Sequence, residues 1–562
     1  MTTDRPIRTL VRGAVAAAWA RAVTAGALPP LPEGTPTPGV EVERPADPAH
    51  GDFASNLALR LARPCRRPPL EIARALADAL ADGAPDASGR RLLGAAEAAA
   101  PGFLNLRLDD ALIARQVDAI LAAGPAYGRV ASDEAEWFNV EFVSANPTGP
   151  LHIGNARGAF VGDSLSRLLE AAGHRVTREY YFNDFGSQIR ELGESVRVAR
   201  AGGPMDEAPY RGDYVLELAA DAPDEVVREA EAPGGDAAWA YGAWASEWIR
   251  AGIEATMGRL GCHFDVWRSE GTLHRDGWIA RGVERLRSSG DLYESEGALW
   301  FRSTAYGDDK DRVVRRSNGE YTYFAADIGY LVDKFSRGFD HLVYVWGEDH
   351  HGTVARVRNA AQALGYRPES VEMLLYSWVR FLRDGAPVGM SKRGGTFITL
   401  DELLDEVGVD AARWFFASRG HTSPLDFDIE LAKRQAPENP VYYVQYAHAR
   451  ISSILRVARE KGLSAEGGDT TLLRDPIELG LARALLRLPE VVEDGAAAHE
   501  YHELTAYAQE LAAVFHAFYR DRRVVDAAAP DVSRARLALV DAARQTIACA
   551  LGLLGISAPE SM

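Results

Sequence analysis

Cysteine is scarce in this sequence: Cys65, Cys262 and Cys549 are the three among 562 residues, far apart and odd in number. That excludes a disulfide framework and a CxxC-type zinc ribbon, so no structural zinc or other metal site is expected, and the three read as core thiols. Long apolar runs are missing too. No stretch approaches the roughly 20 apolar residues of a membrane span, and MTTDRPIRTLVRGAV has no long apolar core ahead of a small-residue cleavage site. A cytoplasmic protein with no membrane partner is the expectation. Positive charge is also short, with 62 Lys and Arg against 80 Asp and Glu, a formal net charge of -18. Coating nucleic acid non-specifically draws on phosphate neutralisation by Lys and Arg, so that class is excluded and no DNA partner is expected. Docking of one RNA is not excluded, because an acidic body can carry a local basic track.

Hydrophobic residues at 47% and charged residues at 25% are close to the average of globular chains. The length exceeds what one hydrophobic core serves, so two to four domains are expected. No internal repeat at solenoid periods is visible. Residues 1–120 open with an Ala-rich helical stretch, pass through LPPLPEGTPTPG and continue with HGDFASNLALRLA, a turn and then a helix, which predicts a small α/β module. Residues 121–190 change character. EWFNVEFVS is rich in aromatic and β-branched residues, ANPTGPLHIGN is a Pro/Gly loop, and ARGAFVGDSLSRLLEAAG is helical and closed by Gly173. HRVTREYYF is a second strand, so the segment predicts the parallel crossover of a doubly wound sheet.

The pattern returns in residues 321–439, where DHLVYVWG predicts a strand, residues 351–364 a helix and VEMLLYSWVRF another strand. Residues 191–320, with loops such as APGGDA and YGDDKDR, read as an irregular insertion. From 440 to 562 the text is almost wholly helical, broken at SAEGGD and AAAPD, and predicts an all-α bundle. The expected fold is therefore α/β, a Rossmann-like doubly wound parallel domain with an N-terminal α/β module and a C-terminal helical bundle.

Two loops carry chemistry. PTGPLHIGN lies between a strand end and a helix start, where free backbone N–H groups and the helix dipole suit a phosphate. Gly154 permits close approach of a ligand, and His152 can donate to phosphate oxygens as charge builds. GMSKRGG follows the hairpin-like LRDGAPV, and Lys392 could spread its charge over an expelled pyrophosphate. Either loop alone is better explained as surface structure with no role. The capping box Thr399-x-x-Glu402 starts a helix directly after the second.

In this order and separation the loops resemble the HIGH and KMSKS signatures of class I aminoacyl-tRNA synthetases, here HIGN and GMSKR. VEFVSANPTGPLHIGN, REYYFNDFGSQI, GDDKDRV, YTYFAADIGY, WGEDHHG, SPLDFD and ENPVYYVQYAHARI are similar to the arginine-specific members, and HGDFASNLAL resembles the RNA-contacting domain added in that family. The resemblance implies ATP-dependent activation of L-arginine and its transfer to tRNA(Arg), with tRNA bound before efficient activation. It implies His152, Asn155 and Lys392 as catalytic residues, with Pro150, His152, Gly154, Asn155, Met390, Ser391 and Lys392 binding ATP, which brings Mg²⁺ on its phosphates. A guanidinium is planar, permanently charged and rich in donors, so its pocket needs carboxylate and aromatic partners. The resemblance assigns these to Tyr323 and Asp327, which an i, i+4 spacing would put on one helix face. Glu141 and Asn146 would hold the α-amino and carboxylate ends, and Asp349 or His350 would complete the floor. The C-terminal bundle resembles an anticodon-binding domain, where Tyr446 and Arg450 can stack on bases and contact phosphate. A monomer is expected, since no feature demands an interface. Asn155 replaces the final His of one signature and Gly389 the first Lys of the other. Two alternatives stay open: a class I ligase for another amino acid, and a catalytically weakened RNA-binding paralogue.

Overall fold

In a computed structural model of the chain, residues 5–81, 91–388 and 398–562 are described. The loop residues Gly389, Met390, Ser391, Lys392 and Arg393 lie outside them. The N-terminal module begins with the helix Ile7–Thr24 and continues through β1 (Phe53–Ser55), the helices Leu57–Cys65 and Pro69–Ala81, and the hairpin β2 (Leu93–Ala99) and β3 (Phe103–Leu108). The three strands pair antiparallel in the order β1-β3-β2. This module docks on the C-terminal helices through ion pairs. Arg44 donates twice to the buried Glu490, at 2.6 and 3.0 Å, and Arg483 joins Asp52 and Asp110 at 2.8 and 2.7 Å.

The central sheet is built from β4 (Trp137–Glu141), β5 (Arg175–Phe182) and β6 (Val266–Ser269). After an outlying antiparallel sheet, β7 (Leu292–Ser295), β8 (Ala298–Phe301) and β9 (Arg312–Arg315), it is completed by β10 (His341–Gly347) and β11 (Val371–Tyr376). The order is β11-β10-β4-β5-β6 and every neighbouring pair is parallel. The chain moves outward from β4 to β6 and then crosses back to β10. The order therefore reverses between β4 and β10, and a crevice opens at their carboxyl ends, where ligands of doubly wound sheets bind.

The expected β4–helix–β5 crossover is present, with the helix at Ile153–Ala171 buried along most of its length. Three details differ from the sequence-based expectation. The strand at EWFNVEFVS stops at Glu141, and Val143 and Ser144 take left-handed conformations with φ of 66° and 43°. For β-branched Val143 this is strained backbone, held at the mouth of the crevice. VEMLLYSWVRF is two strands, β11 and then β12 (Val379–Arg383), which pairs with β13 (Ala386–Pro387) and β14 (Leu425–Asp428) in a separate sheet. The break falls at Ser377, whose N–H goes to His421 O at 2.9 Å and whose carbonyl is taken by Arg157 at 2.7 Å.

Residues 191–320 are not irregular. They form helices, among them Asp213–Asp221, Ala237–Arg259 and Trp278–Ser289, and β6 within them pairs with β5 in the central sheet. Gly/Pro/acidic punctuation there marks loop ends between regular elements. Beyond residue 440 come the helices Pro440–Glu460, Pro476–Leu485, Leu488–Ala498, Glu503–Asp521 and Pro530–Leu553, the expected all-α bundle. No helix among the described residues is long and apolar enough to cross a membrane.

Candidate active site

His152 is the N-cap of the Ile153–Ala171 helix. Its Nδ1 accepts from Gly154 N at 3.1 Å, and Asn155 Oδ1 accepts from His152 N at 3.4 Å, closing a capping box. With Nδ1 used as an acceptor, the neutral ring carries its hydrogen on Nε2, the form that donates. Gly154 is glycine for a local reason, because a Cβ there would lie 2.8 Å from the His152 ring.

The second signature region reaches this cap through backbone. His152 and Thr399 form an antiparallel bridge in which Ile153 N donates to Ile398 O at 3.1 Å and Leu400 N donates to Leu151 O at 2.8 Å. Thr399 and Glu402 close the expected capping box of the Leu400–Val407 helix. The chain leaving segment 389–397 is thus tied to the HIGN loop.

A cavity of about 960 Å³ opens at this point, lined by Asn146, Pro150, His152, Asn155 and neighbouring residues, by Pro209, Tyr210, Arg211 and Tyr214 from the segment between β5 and β6, and by His350. Asn146 Nδ2 donates to Gln188 Oε1 at 2.8 Å, so this amide is held against the helix Ser187–Arg200. Among the described residues no group of three His, Cys, Asp or Glu side chains could hold a metal ion.

The acidic side of the crevice lies on the helix Tyr323–Ser336. Tyr323 is its first residue and is 70% exposed, while Asp327, one turn on, is half-buried. Burial, and then the charges of Glu270 and Glu141, push the Asp327 carboxyl up to about 7, with Arg356 opposing them. Glu270 is also raised by burial, although Tyr181 donates a hydrogen bond to it. Glu141 is buried at the end of β4, with its Oε2 2.7 Å from Lys334 Nζ and its Oε1 accepting from Ser144 Oγ at 3.2 Å. Burial and the neighbouring carboxylates of Glu270 and Glu141 thus disfavour the charged form of Asp327, a preference that a cationic ligand relieves.

The expected residues are not all brought together. His152, Asn155, Pro150, Asn146 and His350 share the cavity. Gly154 sits beneath the His152 ring, and Glu141 and Asp327 form the acidic floor. Asp349 is turned outward, its side chain 83% exposed, so of the pair at the end of β10 His350 is the one at the cavity. Sequence reasoning missed Glu270, Tyr181, Lys334 and Arg211. Glu270 follows β6, a strand of four residues with too little alternation to be visible, and Arg211 falls in the stretch read as irregular.

A second cavity, about 970 Å³, lies in the bundle and is lined by Tyr446, Arg450, Tyr519, Arg520 and Arg522 among others. The Arg450 guanidinium sits 4.7 Å from the centroid of Tyr519 and 5.7 Å from that of Tyr446. Basic groups and open aromatic faces together suit an unstacked, anionic polynucleotide.

Similarity to known proteins agrees with this arrangement. Residues 7–108 match the arginyl tRNA synthetase N terminal domain, residues 116–196 and 249–420 the catalytic domain of class I (R) tRNA synthetases, and residues 444–562 the DALR anticodon binding domain. The chain is 46% identical to an arginine–tRNA ligase of Citrifermentans bemidjiense over 93% of this chain and 95% of that one. It belongs to the arginyl-tRNA synthetase family. A relative from Symbiobacterium thermophilum, also an arginine–tRNA ligase, is 43% identical and covered over 99% of both chains. The Thermus thermophilus arginyl-tRNA synthetase shares the fold of this family member with a TM-score of 0.76, at 24% identity, over 99% of this chain and 100% of that one. The parallel sheet with its bundle is thus the family architecture.

Proposed function

We propose that the protein is an arginine–tRNA ligase whose two half-reactions run in the crevice at the β4/β10 reversal. An arginine carboxylate oxygen attacks the α-phosphorus of ATP, the α–β phosphoanhydride bond breaks, and pyrophosphate leaves. The terminal ribose hydroxyl of tRNA(Arg) then attacks the carbonyl carbon of the adenylate and AMP departs. No protein nucleophile is required, so the chain contributes positioning and charge stabilisation.

The observation that carries this reading is the coupling of Asp327 to Glu270 and Glu141, the last at the end of β4, from which the chain runs on to Ala145 and Asn146 in the lining of the HIGN cavity. The guanidinium is placed against Asp327 and Glu270, with Tyr323 at its face. Glu141 and Asn146 orient the α-amino and carboxylate ends, and His350 closes the floor. Asp349, which the family resemblance also suggests, stays at the rim. His152 and Asn155 address the phosphates, with Pro150 and Gly154 shaping their loop and Met390, Ser391 and Lys392 acting from the opposite signature. Mg²⁺ enters with ATP, bridging its phosphates as part of the substrate.

The domain assignment we favour has residues 1–120 contacting tRNA, 121–190 and 321–439 forming the two catalytic halves, 191–320 connecting them, and 440–562 reading the anticodon region with Tyr446 and Arg450. We read the protein as a cytoplasmic monomer, which sedimentation of the purified protein tests. Arginine-dependent ATP–pyrophosphate exchange, measured with and without tRNA(Arg), tests the activity. Exchange stimulated by arginine and by no other amino acid is expected. Exchange driven by a different amino acid, or none with tRNA present, refutes the proposal.

A further inference from the structure

The cavity at His152 has a lopsided charge lining. Among the described residues thirteen line it, none of them Asp or Glu, and Arg211 is the one Lys or Arg of these. In a chain of net charge -18 such a surface is selective for an anion over a cation. Arg211 comes from neither signature. It sits in the Pro209–Tyr214 strap that crosses the cavity mouth, and it is exposed. Its Nε donates to Ala208 O at 3.2 Å, and among the described residues the guanidinium has no carboxylate partner. Elsewhere in the chain the same side chain is commonly paired, as Arg250 is with Glu247 and Glu254.

The strap is not a loose surface loop. Tyr210 N donates to Ser195 Oγ at 2.9 Å, anchoring it to the helix Ser187–Arg200, and Ala208 is buried. Tyr214 Oη donates to Thr148 O at 2.9 Å, and the Thr148 side chain is hydrogen-bonded to Tyr210. Thr148 belongs to PTGPLHIGN itself, so the strap and the signature loop are stitched into one wall. A guanidinium is thereby presented to the capped helix start on a fixed base, with its paired terminal N–H groups available for a forked contact to phosphate oxygens.

We propose that Arg211 binds the outer phosphates of ATP and the departing pyrophosphate. The assignment rests on reading the His152 cavity as the ATP site. His152 and Asn155 hold the inner end of the triphosphate at the helix start, and Arg211 meets the end nearer solvent. Because it contacts the same oxygens before and after the α–β bond breaks, its contribution falls mainly on binding of ATP and of pyrophosphate and less on kcat. Arginine recognition, on the acidic side of the crevice, is untouched.

The test is ATP–pyrophosphate exchange by the full-length protein with tRNA(Arg) present, comparing Arg211→Ala and Arg211→Lys with the parent. Arg211→Ala is expected to raise the KM for ATP and for pyrophosphate about tenfold, the scale of one charge-assisted contact, with the arginine KM unchanged as the control for folding. Arg211→Lys keeps part of the effect. Unchanged ATP and pyrophosphate KM in Arg211→Ala overturns the phosphate contact. His152→Ala separates the two readings: normal adenylate formation in that variant defeats the ATP-site assignment itself, whereas a loss there without one in Arg211→Ala defeats this proposal alone.

Discussion

Lys334 Nζ lies 2.7 Å from Glu141 Oε2, with 0% and 5% of the two side chains open to solvent. Lys334 also stands over the rings of Tyr344 and Tyr330, at 3.9 and 4.5 Å from their centroids. It is two turns along the same helix from Asp327, so one helix carries both the carboxylate proposed for the arginine pocket and the counter-charge of Glu141. Beneath it Glu179 receives two hydrogen bonds from Arg337, at 2.7 and 2.9 Å, and one from Asn139 at 2.7 Å. The sheet and the helix are joined by buried charge as well as by apolar packing.

Removing one partner of a buried pair typically costs about 3 to 5 kcal/mol, because the other charge is left uncompensated. Lys334→Met should therefore lower the unfolding midpoint clearly and raise the arginine KM, while Lys334→Met/Glu141→Gln recovers stability but not arginine affinity. Thermal unfolding and steady-state exchange measure both effects. An unaltered midpoint for Lys334→Met would mean that the pair contributes nothing.

The carboxyl of Asp327 is raised to about 7 by burial first and then by the charges of Glu270 and Glu141. In the unfolded chain it returns to its ordinary value near 3.8. Between these values the folded protein holds a proton that the unfolded chain lacks, so this group's contribution to stability falls as pH rises through about 4 to 7. A bound guanidinium reverses the preference, since it favours the carboxylate. The arginine KM is expected to fall as pH rises from 6 to 8, and Asp327→Asn should raise it by about two orders of magnitude or more and flatten the profile. The same variant, without ligand, should be more stable than the parent at pH 8. A parent KM that does not respond to pH across this range would remove Asp327 from the pocket.

Lys392 belongs to the segment GMSKRGG, with glycine at 389, 394 and 395, and its proposed partner is the leaving pyrophosphate. A cation that meets the phosphates as the α–β bond breaks acts on the transition state. Lys392→Ala is expected to slow arginyl-adenylate formation by about 10² to 10³, the usual effect of removing one such group, with a much smaller change in ATP KM. Single-turnover formation of adenylate at the parent rate would assign this work to another cation.

The bundle cavity predicts a different signature. Arg450 faces Tyr519 and Tyr446 and has no carboxylate partner among the described residues. Arg450→Ala should weaken tRNA(Arg) binding about tenfold, with the arginine and ATP KM values at saturating tRNA unchanged. Base stacking on an aromatic face is commonly worth about 1 to 3 kcal/mol, so Tyr446→Ala should act on the same measurement. Equal tRNA affinity in both variants would move the contact elsewhere on the bundle.

Much of the site could be read before any coordinates because its parts are local. The strand–loop–helix at residues 137–171, the capping box at Thr399 and Glu402, and the helical text after residue 440 each depend on neighbours within a few residues, where turn chemistry, caps and periodicity act. The readings that went astray were those settled at a distance. VEMLLYSWVRF looks like one strand from its composition. It breaks at Ser377 because Arg157, 220 residues away, takes the carbonyl there, and because Thr422 O accepts from the Ser377 hydroxyl at 2.9 Å. β6 is only four residues long and is a strand because β5 offers it an edge.

By itself the sequence determined a phosphate-suited helix start and a helical C-terminal end, properties that follow from residue types and spacings along one stretch of chain, whereas the Tyr323/Asp327 pair and an RNA-binding role for that end came from resemblance to a family. Tertiary structure alone decided which charges share a pocket. Glu270 reaches Asp327 only once β6 has joined the sheet, Lys334 neutralises Glu141 across 193 residues, and Arg211 arrives at the HIGN loop on a strap tied to Thr148. Electrostatic pairing of this kind depends on distance and burial in three dimensions, and no local pattern encodes either.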